Sequence, residues 1–284
     1  MTKILAISDI HGEENENLYT YLKNNDIDLV IELPYAYSCQ HADLFAKGAV
    51  SILTHLRVNE LIFGSESGNI DELMQLESIT RHPDFQKSLH KWVKTGLSLP
   101  KANIKALEEF NLSPELGSSP NNTLGLYYIK AANELQSEIK IDTLTRIHSD
   151  YRDQAPTHDQ ITSATSIRNL REQRKNFHSF VPENVHQTLN EHFNQTSTYH
   201  TWETYFPFLK QKILTLTPKN LVNIHDVAEG IENRLYSAMI KASSFEQFMN
   251  EVKTKRYTRT RIQRICANIL THTTKSLIQE LSLG

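Results

Sequence analysis

Two stretches of this chain set reactive side chains at spacings that could do chemistry. Asp9 and His11, in KILAISDIHG, directly follow an aliphatic run. A strand ending there puts one carboxylate oxygen and one imidazole nitrogen on the same side of the chain, half of a site for a divalent ion. Far downstream, EVKTKRYTRTRIQRI (251–265) carries Lys253, Lys255, Arg256, Arg259, Arg261 and Arg264 against the single acid Glu251. At helical spacing Lys253, Arg256, Arg261 and Arg264 gather on one side with Tyr257. Ile262, Ile265 and Ile269 share the opposite, inward side, and Lys255 and Arg259 flank it. Such a stripe suits RNA phosphates, with Tyr257 available for stacking on a base. The plainer alternatives are the polar end of a strand for Asp9 and His11, and a solvated charged face for the basic run.

The elements that must position such residues alternate in kind through the first half. KILAIS (3–8), DLVIEL (28–33), ELIFGS (60–65) and IKIDTLTRI (139–147) read as strands from their aliphatic and β-branched content. Between them, Ala42, Phe45, Ala49, Ile52, Leu53 and Leu56 recur at three- and four-residue steps, as one buried helix face requires. Leu124, Tyr128, Ala131 and Leu135 do the same behind Ser119 as an N-cap and Pro120 at the first helical position. Strands separated by helices imply right-handed crossovers and a doubly wound, Rossmann-like parallel sheet, incomplete at its N-terminal part. Ligands of such sheets bind beyond the carboxyl ends of the strands, which singles out Asp9–Gly12, Glu32–Pro34, Gly64–Glu66 and Arg146–Asp153. From about Phe180 the strand signals stop and the text is helical, with TLTPKN (215–220) as its clearest break. The expected organisation is an α/β domain over 1–178 and an all-helical region over 179–284.

Bulk properties exclude some classes. With 284 residues, 39% hydrophobic and 22% charged, the chain can bury a sizeable core. No apolar run approaches the roughly 18 residues that cross a bilayer, and ILAIS before Asp9 is too short for a signal peptide. A cytoplasmic protein with no membrane partner is expected. Cys39 and Cys266 stand outside any CxxC spacing and read as reduced thiols. The net charge of -3 does not by itself advertise nucleic acid.

Two resemblances extend these readings. KILAISDIHGEENENLYTYLKNNDIDLVI resembles the start of the dinuclear metallophosphoesterases, which implies Asp9 and His11 as metal ligands and a metal-dependent phosphoesterase as an alternative function. That family continues with Gly-Asp after its second strand, then an Asn-His pair and a late GHxH. Here the second strand runs into Glu32-Leu33-Pro34, and none of the 13 histidines has a GNH or GHxH context. From Asp28 to about Asn169, the blocks DLVIELPYAYSCQHADLFAKGAVSIL, LIFGSESG, SPNNTLGLYYIKA, TLTRIHSDYRD and ITSATSIRNL resemble, in that order, the bacterial tRNA(Met) cytidine acetate ligases, a branch of the HIGH-type nucleotidyltransferase superfamily. KRYTRTRIQRICANIL resembles that family's basic helix. Five ordered blocks are far more specific than one short motif.

This second resemblance implies an enzyme that activates acetate with ATP, accompanied by Mg2+ as counter-ion, and passes the acetyl group from acetyl-adenylate to N4 of the wobble cytidine of elongator tRNA(Met). It implies an ATP site made of Gly64, Asn121, Asn122, Arg146, Ser163, Thr165 and Arg168. Gly64 would admit close backbone approach, and the two asparagines would offer amide groups to adenine or ribose at a helix N-terminus that favours phosphate. Arg146 and Arg168 would neutralise the departing pyrophosphate, and the hydroxyls of Ser163, Thr165 and Ser166 would add donors at a helix start. It also implies tRNA contact through Lys253, Lys255, Arg256, Arg259, Arg261 and Arg264. The family opens with a His-x-Gly-His signature, for which the nearest counterpart here is Ile10-His11-Gly12-Glu13, an acid in place of the second imidazole. The far end, LIQELSLG, is short of the family's terminal block. Impaired catalysis, or a non-catalytic RNA- and nucleotide-binding remnant, is the alternative this departure raises.

Overall fold

A computed structural model of the chain describes residues 5–8, 27–146, 155–156, 161–198, 200–254 and 256–281. They form two compact units, Met1–Trp92 with Leu99–Thr198, and Val93–Ser98 with Tyr199–Gly284. Among the described residues no helix is long and apolar enough to cross a membrane.

The first unit is α/β. Its strands are β1 (Leu5–Ser8) and β2 (Leu29–Glu32), then β3 (Glu60–Ser65) and β4 (Lys140–Thr145). All lie where aliphatic runs predict them. They pair in parallel as two ladders, with Leu5 opposite Leu29 and Gly64 opposite Leu144. Helices α1 (Tyr35–Ser38) and α2 (Ala42–His55) join β2 to β3. The crossover from β3 to β4 carries α3 (Ile70–Arg81), α4 (Pro83–Lys94), α5 (Leu99–Glu109), α6 (Pro114–Ser118) and α7 (Pro120–Glu134). After β4 come α8 (Ala164–Glu172), a 3-10 turn at His178–Phe180, and α9 (Glu183–Thr196).

Small residues let α2 and α7 pack together beside the β3–β4 ladder: Ala46, Val50, Ala131 and Ala132 are buried against Leu61, Tyr128 and Ile141. The ring of Phe63 meets Tyr128 at 5.5 Å, fixing α7 over β3. A second cluster, Leu76, Phe85, Ala106 and Leu107, joins α3, α4 and α5. Burying a side chain such as Phe85 stabilises by about 1.5–3 kcal/mol, so each cluster is worth a few such terms. Asn69 starts α3, its Oδ1 accepting from the Asp71 and Glu72 amides at 3.1 and 3.4 Å.

The second unit is helical, as its loss of strand signals predicts, with α10 (Trp202–Leu221), α11 (Ile231–Lys241), α12 (Phe245–Val252), α13 (Arg259–Leu270) and α14 (Lys275–Leu281). Helix α10 is broken at Thr217, φ 58° and ψ 163°, because the residue before Pro218 is excluded from the helical region. TLTPKN is therefore a kink within one rod. The core is a single large cluster that includes Leu209, Ile213, Leu235, Phe248, Ile262, Ile265 and Ile269. Trp202 stacks on Phe245 at 4.8 Å. Beside that stack the Glu203 carboxylate accepts from the Phe245 and Glu246 amides at 2.9 and 3.1 Å, capping α12. Cys266 is buried and Cys39 half-buried, neither in a disulfide, and burial pushes the Cys266 thiol well up from its ordinary value.

Candidate nucleotide site and basic segment

The carboxyl ends of β3 and β4 are held together by hydroxyls. Thr143 Oγ1, buried in β4, donates to Phe63 O at 2.9 Å and lies 2.7 Å from Ser65 Oγ. Ser65 Oγ in turn accepts from the Gly68 amide at 3.0 Å, which curls the loop back on the strand. Gly68 has φ +62°, and a Cβ there would meet Thr145 Oγ1 at 1.8 Å, so glycine is required for both conformation and space. Gly64 differs. A Cβ there would sit 3.4 Å from Arg146 Cγ, an ordinary contact, and its φ is not in the left-handed region. The described protein atoms do not demand glycine at 64. It lies on the open face of the ladder, beside Ile62 and Leu144, which are 53% and 65% exposed.

Glu66, one residue beyond β3, decides what the asparagine pair does. Its Oε1 accepts from the Asn121 amide at 3.2 Å and from Asn121 Nδ2 at 2.7 Å, and its Oε2 accepts from the Asn122 amide at 2.8 Å. Asn122, 3% exposed, accepts from the Ser67 amide through Oδ1 at 3.0 Å. The N-terminus of α7 thus already holds a carboxylate, placed where its amide groups and dipole favour negative charge. Asn121 and Asn122 pin the loop after β3 to α7, a role that the sequence pattern did not distinguish from ligand binding. Ser119 is the N-cap residue, but without a side-chain cap bond: its hydroxyl donates to Glu115 O at 2.9 Å instead. Arg146 donates its backbone amide to Ser65 O at 2.9 Å, and its side chain is exposed.

Ser163, Thr165 and Arg168 belong to α8. Ser163 is its N-cap, accepting from the Ser166 amide at 3.0 Å. The side-chain oxygens Thr162 Oγ1 and Ser166 Oγ are buried and meet no hydrogen-bond partner among the described residues. A buried hydroxyl left unpaired costs about 1–3 kcal/mol, so this first turn is short of a polar partner. Arg168 is exposed, and Thr165 is half-buried one turn before it. The turn combines orphan amide groups, two hydroxyls without a partner among the described residues and a nearby guanidinium, the equipment for a phosphate. Sequence inspection reached Ser163, Thr165, Ser166 and Arg168 through the SATSIR block but passed over Thr162, and only burial reveals that Thr162 and Ser166 lack partners among the described residues. Asp9 and His11 lie outside the described residues.

The basic segment departs from the continuous helical stripe. Helix α13 begins only at Arg259, behind Thr258 as N-cap, and Lys253 is the C-cap of α12. Ile262, Ile265 and Ile269 do face inward, fully buried. Tyr257 also turns inward, 7% exposed, its Oη donating to Ala228 O and Glu229 O at 3.3 Å. It is not free to stack on a base. Burial and then the Glu229 charge push its phenol up from the ordinary value. Four arginines find acids: Arg256 meets Glu229 at 2.7 Å, Arg259 grips Glu246 at 2.9 and 2.7 Å, and Arg264 meets Asp226 at 3.1 Å. Arg261 lies 3.6 Å from Asp226 and over the Tyr257 ring at 5.0 Å. The Arg259 hydrogen bonds hold Glu246 below the usual carboxylate range. Asp226, Glu229 and Glu246 all lie outside the basic run, so its local composition hid the pairing of its four arginines. Lys255 lies outside the described residues.

Known proteins bear on these sites. The profile of the HIGH Nucleotidyl Transferase family matches residues 22–283. A tRNA(Met) cytidine acetate ligase of Anoxybacillus flavithermus is 43% identical over 256 residues, 89% of this chain and 64% of that protein. The chain thus spans a little under two thirds of the length of such curated relatives. Among solved structures, Thermotoga maritima TmcAL in its apo form I superposes with a TM-score of 0.83 at 24% identity, covering 98% of this chain and 78% of that one. The same protein bound with alpha-thio ATP gives a TM-score of 0.80 at 24% identity, covering 98% and 77%. At that identity the likeness is one of fold.

Proposed function

This chain belongs to the HIGH nucleotidyl transferase family, and we propose that within it the chain works as an ATP-dependent acetate ligase on tRNA(Met), with ATP bound at the first turn of α8. An acetate oxygen attacks the α-phosphorus of ATP, the bond to the oxygen bridging to the β-phosphate breaks, and pyrophosphate departs; Mg2+, when bound, would supply its counter-charge. The wobble cytidine N4 then attacks the acetyl carbonyl and releases AMP. The observation that carries this reading is the pair of buried oxygens Thr162 Oγ1 and Ser166 Oγ at the N-terminus of α8, which meet no partner among the described residues, with Arg168 exposed two residues beyond. Phosphate oxygens accept from hydroxyls, backbone amides and a guanidinium alike, and binding there would satisfy all three. Relatives named tRNA(Met) cytidine acetate ligase, and the ATP-analogue complex of TmcAL, support the choice of nucleotide and acceptor.

On this reading, Gly64 and the side chain of Arg146 flank the nucleotide at the open face of the ladder, whereas Asn121 and Asn122 act through the loop they hold. The arginines of the basic segment meet tRNA by exchanging partners. Exposed ion pairs such as Arg256 with Glu229 and Arg259 with Glu246 are worth only about 0–1 kcal/mol, so a phosphate can displace the acid at little cost.

A slower or silent enzyme is the second reading, favoured by Glu13, whose carboxylate would repel a triphosphate where the resembled signature has an imidazole. Both readings are tested by acetate-dependent exchange of labelled pyrophosphate into ATP. Exchange in the parent that falls in Arg168→Ala supports the ligase. No exchange in the parent, with exchange gained in Glu13→His, supports the silent form. Exchange equal in the parent and Arg168→Ala would remove α8 from the site.

A further inference from the structure

The sequence just after α8 builds a second constellation that neither adenylation nor tRNA contact uses. Glu183 and His186 stand three apart in the first turn of α9 and so share a face. The 3-10 turn at His178–Phe180 brings a third group to that face: His178 Nε2 is in hydrogen-bond contact with Glu183 Oε2, and the His178 and His186 ring centroids are 4.4 Å apart. One imidazole nitrogen from each histidine and one carboxylate oxygen all lie within 4.8 Å of one another. We propose that His178, Glu183 and His186 form a binding site for a borderline divalent transition ion, Zn2+ foremost.

The donor set selects the class of ion. Two imidazole nitrogens with one carboxylate oxygen suit Zn2+, Co2+ or Ni2+ and discriminate against Mg2+ and Ca2+, which prefer oxygen. Supporting contacts already orient the donors. Gln187 Nε2 donates to Glu183 Oε1 at 2.9 Å, leaving Oε2 for the ion, and the His178 amide donates to Asn176 Oδ1 at 2.9 Å, fixing the turn. Phe177 packs edge-on against the His186 ring at 5.3 Å. Groups that hold ligands in this way are a regular part of metal sites.

A simple ion pair accounts for His178 beside Glu183, and the Glu183 carboxyl is accordingly held below its usual range by that bond and by Gln187. It does not account for a second imidazole brought against the first. Ligand bonds of roughly 2.0–2.2 Å around zinc put donor atoms about 3.3 Å apart, so the triad would close by side-chain rotation alone. Three protein ligands leave further positions open to water, and the ion would staple the 3-10 turn to α9.

The test is a titration of the tag-free, metal-stripped full chain with Co2+, followed by its visible absorption, repeated calorimetrically with Zn2+. The result expected is one equivalent bound, with a rise in Tm. His178→Ala and His186→Ala should each weaken binding roughly tenfold or more, and Glu183→Gln should weaken it while keeping the fold. His90→Ala, an exposed histidine on another helix, should bind as the parent does. All three triad residues are exposed or half-buried, and metal-free melts identical to the parent's would show that the variants fold. The proposal is overturned if the parent binds no more tightly than the His178→Ala/His186→Ala double variant, if His90→Ala weakens binding equally, or if Mg2+ competes as well as Zn2+.

Discussion

Two helix N-termini in the α/β unit answer the same electrostatic demand in opposite ways. At α7 the amide groups of Asn121 and Asn122 are closed by the Glu66 carboxylate. At α8 the Ser163 hydroxyl takes one amide, and the buried oxygens of Thr162 and Ser166 meet no partner among the described residues. Both positions carry the polar, small residues that suit a helix start. The difference teaches that a helix N-terminus is an anion site only where the chain has not filled it with an anion of its own. The helical unit makes the same point again, since Glu203 fills the N-terminus of α12.

The contrast can be broken most forcefully at Arg168. Arg168→Ala should lower acetate-dependent exchange by roughly ten- to a hundredfold, the loss of a charge-assisted hydrogen bond worth about 1.5–3 kcal/mol. An unchanged rate would erase the distinction between the two helices. Ser166→Ala should move stability and binding in opposite directions. Removing an unsatisfied buried hydroxyl raises stability by up to about 1 kcal/mol in urea melts, while ATP affinity falls several-fold. A variant that loses stability would mean that the hydroxyl already has a partner.

Glu66→Ala sharpens the comparison from the other side. Emptying α7 should cost about 1 kcal/mol of stability, as for loss of a helix cap, and leave ATP affinity within about twofold. A marked gain in affinity would instead make α7 the phosphate site. The smallest stability effect belongs to Arg259→Ala, whose exposed pair with Glu246 contributes less than about 1 kcal/mol. Its signature lies in RNA binding, where the slope of log affinity against log salt should drop by roughly 0.7–0.9. An unchanged slope would leave Arg259 as a surface ion-pair residue.

Much of the architecture was legible because it rests on local pattern. The strands appear where aliphatic runs stand, β3 and β4 pair in parallel as the helices between them require, and Pro218 breaks α10 where TLTPKN marks it. The inward isoleucines of α13 follow from spacing alone. What the sequence hid was partner choice across distance. Glu66 finds Asn121 and Asn122 some 55 residues away, and Asp226, Glu229 and Glu246 reach the basic segment from other elements. Local charge counting therefore missed that four arginines of the segment are paired with acids, and helical spacing placed Tyr257 outward although the helix begins after it. Thr162 was invisible for a related reason: a hydroxyl without a partner among the described residues is defined by its surroundings, not by its neighbours in sequence.

The measurement that tests the central claim most directly is calorimetric titration of ATP into the parent, Arg168→Ala and Asn121→Ala under one condition. The result expected is binding by the parent and by Asn121→Ala with similar affinity, and a loss of roughly tenfold or more in Arg168→Ala. Weakened binding in Asn121→Ala with Arg168→Ala unaffected would contradict the claim and move the nucleotide to α7.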